Sequence, residues 1–254
     1  MKKEMLLLST LSTGAGPFAR KYGFGLEITE YCTATNLELN RKSVDSVVNN
    51  KVWGVRQIAF HAPFNELFPC AIDPMVRDIA RYRYRQTIAL AKSYGVSKII
   101  IHGGYNPRLY YPIWYTEQSA VFWKEFIAEV PEDMTIVLEN VMEEEIPMFL
   151  TILQQVEDKR LRMCLDVGHA NAYSVSTPME WLETCAPYIE HFHIHNNDGS
   201  WDTHNELWDG TIPMEALLEK AARLCPEATF TLELMDSEPS VKWLQEKGFL
   251  RKKG

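Results

Sequence analysis

Eight short apolar runs recur along the chain: Met5–Ser9, Phe24–Thr29, Gln57–Phe64, Lys98–Gly104, Thr135–Asn140, Leu161–Gly168, Ile189–Asn197 and Thr229–Leu234. They are rich in Ile, Val, Leu and Phe, as buried parallel strands are. Segments with helical spacing lie between them. Asp73–Tyr94 is the clearest, with a capping Asp73, Pro74 in the first turn and Gly95 as a stop. Thr177-Pro178 opens a helix in the same way. Further helices are predicted over Glu117–Glu129, Ile146–Glu157, Pro213–Leu224 and Glu238–Lys247, with a weakly marked one around Ser43–Asn50. Tyr105–Tyr115, rich in Tyr, Pro and Trp, reads as a long loop after the fourth strand.

Strands alternating with helices imply a parallel sheet with right-handed crossovers. Eight such units in 254 residues predict an α/β fold, a single (β/α)8 TIM barrel domain spanning 1–254. An open doubly wound sheet is the rival, but no glycine-rich dinucleotide fingerprint follows the first strand.

Composition changes the picture little: 46% apolar and 24% charged residues are ordinary for a globular chain. The formal net charge of -8 weighs against a nucleic-acid partner. Five cysteines without a CxxC pair read as reduced thiols. Only four apolar residues stand between Glu4 and Ser9, too few for a secretory leader or a membrane span. The expectation is a cytoplasmic protein with no membrane partner, and a homo-oligomer is left open.

The polar residues carry the chemistry. The seven histidines, His61, His102, His169, His191, His193, His195 and His204, all fall within a predicted strand or just after one, mostly towards its end, and none in a predicted helix. Glu27, Glu139, Asp166, Asp202 and Glu233 follow the same rule. A carboxylate after an apolar strand core pays a large desolvation cost unless a cation offsets it. In a barrel of this kind the strand ends open on one face, so these residues converge. Imidazole with carboxylate suits Zn²⁺, Mn²⁺ or Fe²⁺ better than Ca²⁺ or Mg²⁺. The supply of ligands fits one to three divalent ions, with Zn or Mn favoured. Singly, His61 reads as a packed histidine and so does His191, which starts its strand. His193 and His195 share a face, and either could be the inward ligand.

The strand ends FHAPF, IHGG, LEN, CLDVGHA, HIHNNDG, DTH and LEL, in that order, resemble the xylose-isomerase-like TIM barrels. That superfamily includes class II apurinic endonucleases and many sugar or sugar-phosphate isomerases and epimerases. The resemblance covers about residues 5–235. The endonucleases hold three zinc ions, and the resemblance implies the ligands His61, His102, Glu139, Asp166, His169, His193, Asp202, His204 and Glu233. The isomerase branch implies a smaller set: Glu139, Asp166, His193 and Glu233. This chain departs from the endonuclease pattern at Thr203, where an arginine is expected. It also keeps only Gly210 of a Gly-x-Gly turn.

Two chemistries follow. In a metal-dependent isomerase or epimerase of a sugar or sugar phosphate, Glu139 and Glu233 move the proton through an enediolate and His169 binds or shuttles, on a small carbohydrate substrate. In an abasic-DNA phosphodiesterase, a multinuclear zinc site attacks phosphorus. The poverty of Lys and Arg in the βα loops favours the first. Glu27, His195 and Arg108 are the candidates for substrate contact.

Overall fold

The computed structural model describes residues 2–250. Each apolar run supplies one strand: β1 Leu6–Ser9, β2 Gly25–Ile28, β3 Ile58–His61, β4 Lys98–His102, β5 Thr135–Glu139, β6 Leu161–Asp166, β7 Ile189–Ile194 and β8 Thr229–Leu232. All pair in parallel with their sequence neighbours, and β8 closes on β1, so the sheet is a barrel. Around it run α1 Ala15–Tyr22, α2 Ala34–Leu37, α3 Arg41–Val52, α4 Pro74–Ser93, α5 Pro112–Phe126, α6 Ile146–Val156, α7 Val167–Tyr173, α8 Pro178–Cys185, α9 Met214–Leu224 and α10 Glu238–Glu246. Helices α4 and α8 start as their sequences predict. Asp73 accepts the Met75 N–H, and Thr177 with Glu180 forms a capping box.

Three differences from the sequence reading have local causes. Strand six ends at Asp166 rather than Gly168, because the Asp166 side chain accepts the His169 N–H and caps α7. The aromatic loop is shorter than Tyr105–Tyr115, since Pro112 at the first helical position starts α5. Helix α1 was not expected from a stretch broken by Gly14, Gly16 and Pro17. There a Cβ on Gly16 would meet the Lys51 carbonyl oxygen at 2.9 Å, so the glycine lets α1 lie against α3.

The large apolar core fills the space between strands and helices. Inside the barrel a smaller group, Leu7, Ala59, Ile100, Val137 and Cys164, packs by itself. The remaining strands put polar groups at this level. The register sets Glu27 beside Ala59, His191 beside Cys164, and Thr231 beside Leu7. The five cysteines are free, and all but Cys32 are buried. Among the described residues no helix is long and apolar enough to cross a membrane.

Candidate metal centre

His61, His102, Glu139 and Asp166 end β3, β4, β5 and β6, and His193 lies near the end of β7. Glu233 follows β8, Asp202 and His204 sit on the loop after β7, and His169 is on the first turn of α7 rather than on loop or strand. Seven of these nine line a cavity of about 300 Å³ at the barrel mouth, with Leu11, Thr29, Cys32 and Phe64. The other two, Asp166 and His193, are fully buried and do not line it. A larger cavity of about 630 Å³, lined by Lys3, Met5, Pro226 and Phe249 among others, lacks any such convergence of ligand types.

Among the sets of ligand atoms that lie within 4.8 Å of one another are three made of these residues: His61, His102 and Glu139; Glu139, Asp166, His193 and Glu233, which shares Glu139 with the first; and His169, Asp202 and His204. His61 Nε2 and His102 Nε2 face Glu139 Oε2 at 3.3 and 3.4 Å. His193 Nδ1 faces Glu139 at 3.3 Å, Asp166 at 3.6 Å and Glu233 at 3.4 Å. His169 Nε2 and His204 Nε2 converge on Asp202 Oδ2 at 3.2 and 2.9 Å.

The backbone fixes which nitrogen is available. His61 Nδ1 donates to the Ala62 carbonyl at 2.9 Å, His169 Nδ1 to the Asn140 carbonyl at 3.0 Å, and His204 Nδ1 to the Glu233 carbonyl at 2.7 Å. A carbonyl only accepts, so each of these Nδ1 atoms bears the proton and the neutral ring offers a lone pair at Nε2. Those lone pairs point at carboxylate oxygens, which also only accept. Acceptors aimed at one another need a positive species between them, a proton or a metal ion.

The electrostatics agree. Burial alone would raise the carboxyl of Glu139, but His102 and His193 reverse this and hold it well below the usual range. Asp166 is likewise held low against burial by His169 and His195. Burial pushes His102 down to about 3, against the pull of Glu139. His169 is held well above its ordinary value despite burial, by Asp166 and Asp202. His204 is raised against burial to about 9, chiefly by Asp202. Glu139 Oε2, His193 Nδ1, His195 Nδ1 and Asp202 Oδ1 are buried with no hydrogen-bond partner. Buried polar atoms are almost always paired. The donor set therefore fits a divalent cation, which would satisfy these atoms and replace the protons.

The loop carrying Asp202 and His204 is built for its shape. His204 has φ 50°, a left-handed conformation that costs a non-glycine residue about 1–3 kcal/mol. An antiparallel bridge between Asn196 and Asn205 holds it. Asn196 Nδ2 donates to the carbonyls of Leu207 and Ile212, and Asn197 Nδ2 to that of Gly168. Gly210 packs on Asn196, whose Oδ1 would lie 2.2 Å from an added Cβ.

The candidates for substrate contact are placed differently from expectation. Glu27 is fully buried below the cavity, accepting from His191 Nε2 at 3.1 Å, His193 Nε2 at 3.0 Å and the Thr231 hydroxyl at 2.6 Å. His195 is also fully buried, 3.2 Å from Asp166 and stacked on His204. Arg108 is exposed on the loop after β4 and is not among the cavity's lining residues. Of His193 and His195, His193 is the one whose free nitrogen faces Glu139, Asp166 and Glu233. The sequence reading passed over Phe64, whose ring stacks on His102 with centroids 4.3 Å apart. It also passed over Leu11, Thr29 and Cys32. The FHAPF motif held the signal for Phe64, while the others carried none.

A profile of the family described as Xylose isomerase-like TIM barrel matches residues 36–253. The chain belongs to that family. It is 28% identical over 205 residues to the uncharacterized protein MJ1311 of Methanocaldococcus jannaschii, covering 73% of this chain and 67% of that one. Its fold matches a D-tagatose 3-epimerase-like protein with TM-score 0.77 and 25% identity, over 95% of this chain and 96% of the other. It also matches the TTHB071 protein of Thermus thermophilus, from a crystal soaked with ZnCl2, with TM-score 0.74 and 23% identity over 96% and 98% of the two chains. Family members include isomerases, epimerases and endonucleases, and the neighbouring structures include sugar epimerases.

Proposed function

We propose that the protein is a divalent-metal-dependent isomerase or epimerase of a small, uncharged sugar. One observation carries the reading. Imidazole nitrogens and carboxylate oxygens, all acceptors and several without partners, surround a 300 Å³ cavity whose described lining contains no Lys or Arg. That volume suits a single small ligand. With no cationic side chain on its wall, the cavity gives a sugar phosphate or a nucleic-acid backbone no side-chain counter-charge. A bound cation would supply Lewis acidity toward a carbonyl and its neighbouring hydroxyl.

The chain's own residues do the rest. Glu139 and Glu233 reach the cavity from β5 and beyond β8, so a carbon-bound proton can leave to one carboxylate and return from the other. Glu139 is held ionised by the facing imidazoles, as a base must be. His169, tied to the Asn140 carbonyl, presents Nε2 to a substrate hydroxyl. Leu11 and Phe64 wall the cavity and keep water from the reacting carbon.

A second reading rests on the closeness of three ligand sets, two of which share Glu139. Several closely spaced ions also suit phosphodiester hydrolysis. Two assays on the Zn²⁺- and Mn²⁺-loaded protein separate the readings. Incorporation of solvent deuterium into one of a panel of unphosphorylated ketoses is the expected result. Nicking of an abasic duplex, with no exchange into any ketose, would replace the first reading by the second.

A further inference from the structure

The layer beneath the cavity contains a polar column that packing does not require. On β1, β3, β4, β5 and β6 this level is filled by Leu7, Ala59, Ile100, Val137 and Cys164. On β2, β7 and β8 it holds Glu27, His191 and Thr231, each fully buried. An ionised carboxylate at this depth is costly unless donors surround it. Here three donors reach Glu27, and one of them is set by a relay from Lys98. Lys98 Nζ donates to Thr229 Oγ1 at 3.0 Å, and the Thr229 hydroxyl lies 2.6 Å from His191 Nδ1 and donates to it. That leaves the His191 proton on Nε2, 3.1 Å from Glu27 Oε2, where the Thr231 hydroxyl also donates at 2.6 Å. The remaining donor is His193 Nε2, 3.0 Å from Glu27 Oε1. A proton on His193 Nε2 frees Nδ1, the atom that faces Glu139, Asp166 and Glu233 without a partner.

We infer that Glu27 is the positioning residue of His193, with His191 and Thr231 as its supports. It fixes the tautomer that offers Nδ1 to a cation and adds negative charge behind the ring. The inference rests on the metal-binding reading above. A carboxylate behind a ligating imidazole orients the ring and makes it a better donor. Glu27 lies behind the ring and is not itself one of the candidate ligands, unlike the carboxylates of Glu139 and Asp166 that His169 Nδ1 also approaches at 3.2 and 3.5 Å. His61, His169 and His204 are backed by main-chain carbonyls, which no substitution removes. Glu27 therefore acts on one of the three ligand sets, that of Glu139, Asp166, His193 and Glu233.

The test is a titration of metal-free wild type, Glu27→Gln and Thr231→Val with Zn²⁺ against a chromophoric chelator, beside thermal unfolding of each metal-free protein. Glu27→Gln should weaken one class of site about 10- to 100-fold while the others keep wild-type affinity. Its metal-free unfolding temperature should stay close to that of wild type. The visible spectrum of bound Co²⁺ should change for the weakened site alone. Thr231→Val, which removes one support, should give a smaller loss at the same site, and it decides the matter if Glu27→Gln does not fold. Wild-type affinity at every site, or equal weakening of all sites alongside a drop in metal-free stability, would overturn the inference and leave the metal reading intact. A wild-type protein that binds no Zn²⁺ would overturn both.

Discussion

The imidazole of His195 fills the space in which a side chain at Gly168 would begin. A Cβ there would lie 1.9 Å from Cε1 and 2.4 Å from Nδ1 of that ring. His195 in turn lies flat on His204, with centroids 3.9 Å apart and planes 2° from parallel. The glycine of the DVGH segment is thus a steric requirement of the stack. Gly168→Ala should cost about 1–3 kcal/mol or more by overpacking and should also reduce metal content, because the stack bears on Asp166 and His204. Thermal unfolding and elemental analysis of the variant check this. Wild-type values of both would show that the stack yields freely.

Asp166→Asn and Glu233→Gln should each lower bound metal measured after gel filtration. The first is a clean test in spite of the capping role of Asp166, since Asn caps a helix about as well as Asp. Two variants with wild-type metal stoichiometry would refute the ligand set.

The metal-free protein should lose stability as pH rises. His204 is raised from 6.5 to about 9 in the folded state, and His169 and His193 are also held high. Groups with raised values contribute stability in full below about 6.5, and that contribution fades as pH climbs through 9. Glu139, Asp166 and Glu27 act in the opposite sense: they stabilise above their ordinary values and lose this as pH falls. Unfolding temperatures of chelator-treated protein should therefore fall between pH 6 and 9. Added Zn²⁺ should raise them more at pH 9 than at pH 6, because protons compete for the same lone pairs. An identical gain at both values would separate the titrating groups from the ligands.

Tyr115→Phe probes the support behind Asn140. The Tyr115 hydroxyl donates to Glu143 Oε1 at 2.5 Å, and Glu143 Oε2 accepts the Val141 N–H at 2.6 Å. Glu143 is buried, and burial raises its carboxyl. Removing the hydroxyl strands one carboxyl oxygen, so a loss of about 1–3 kcal/mol in chemical denaturation is expected. No measurable change would mean that water replaces the hydroxyl.

The barrel was legible because its strands are rich in buried apolar residues and bounded by polar ends, so each run announced its strand within a few residues. The convergence of His61, His102, Glu139 and Asp166 followed from barrel geometry alone. What escaped was direction. Whether Glu27 meets a ligand or a neighbouring imidazole depends on how deep its strand sits, and nothing in GLEIT encodes depth. Helix α7 was hidden because Asp166 ends a strand and caps a helix at once, and the apolar run continues through Val167. Arg108 is exposed and is not among the cavity's lining residues, since a place on a βα loop does not by itself bring a side chain to the mouth.

The four-residue ligand set draws on β5, β6, β7 and the segment after β8. Glu233 is the last of these to leave the ribosome, so a nascent or truncated chain lacking β8 has three of the four and no closed ring of strands. A cation seated there would tie the final strand to the middle of the chain and resist the opening of the β8 seam. Retention of that ion through dilution would then report whether the barrel has stayed shut.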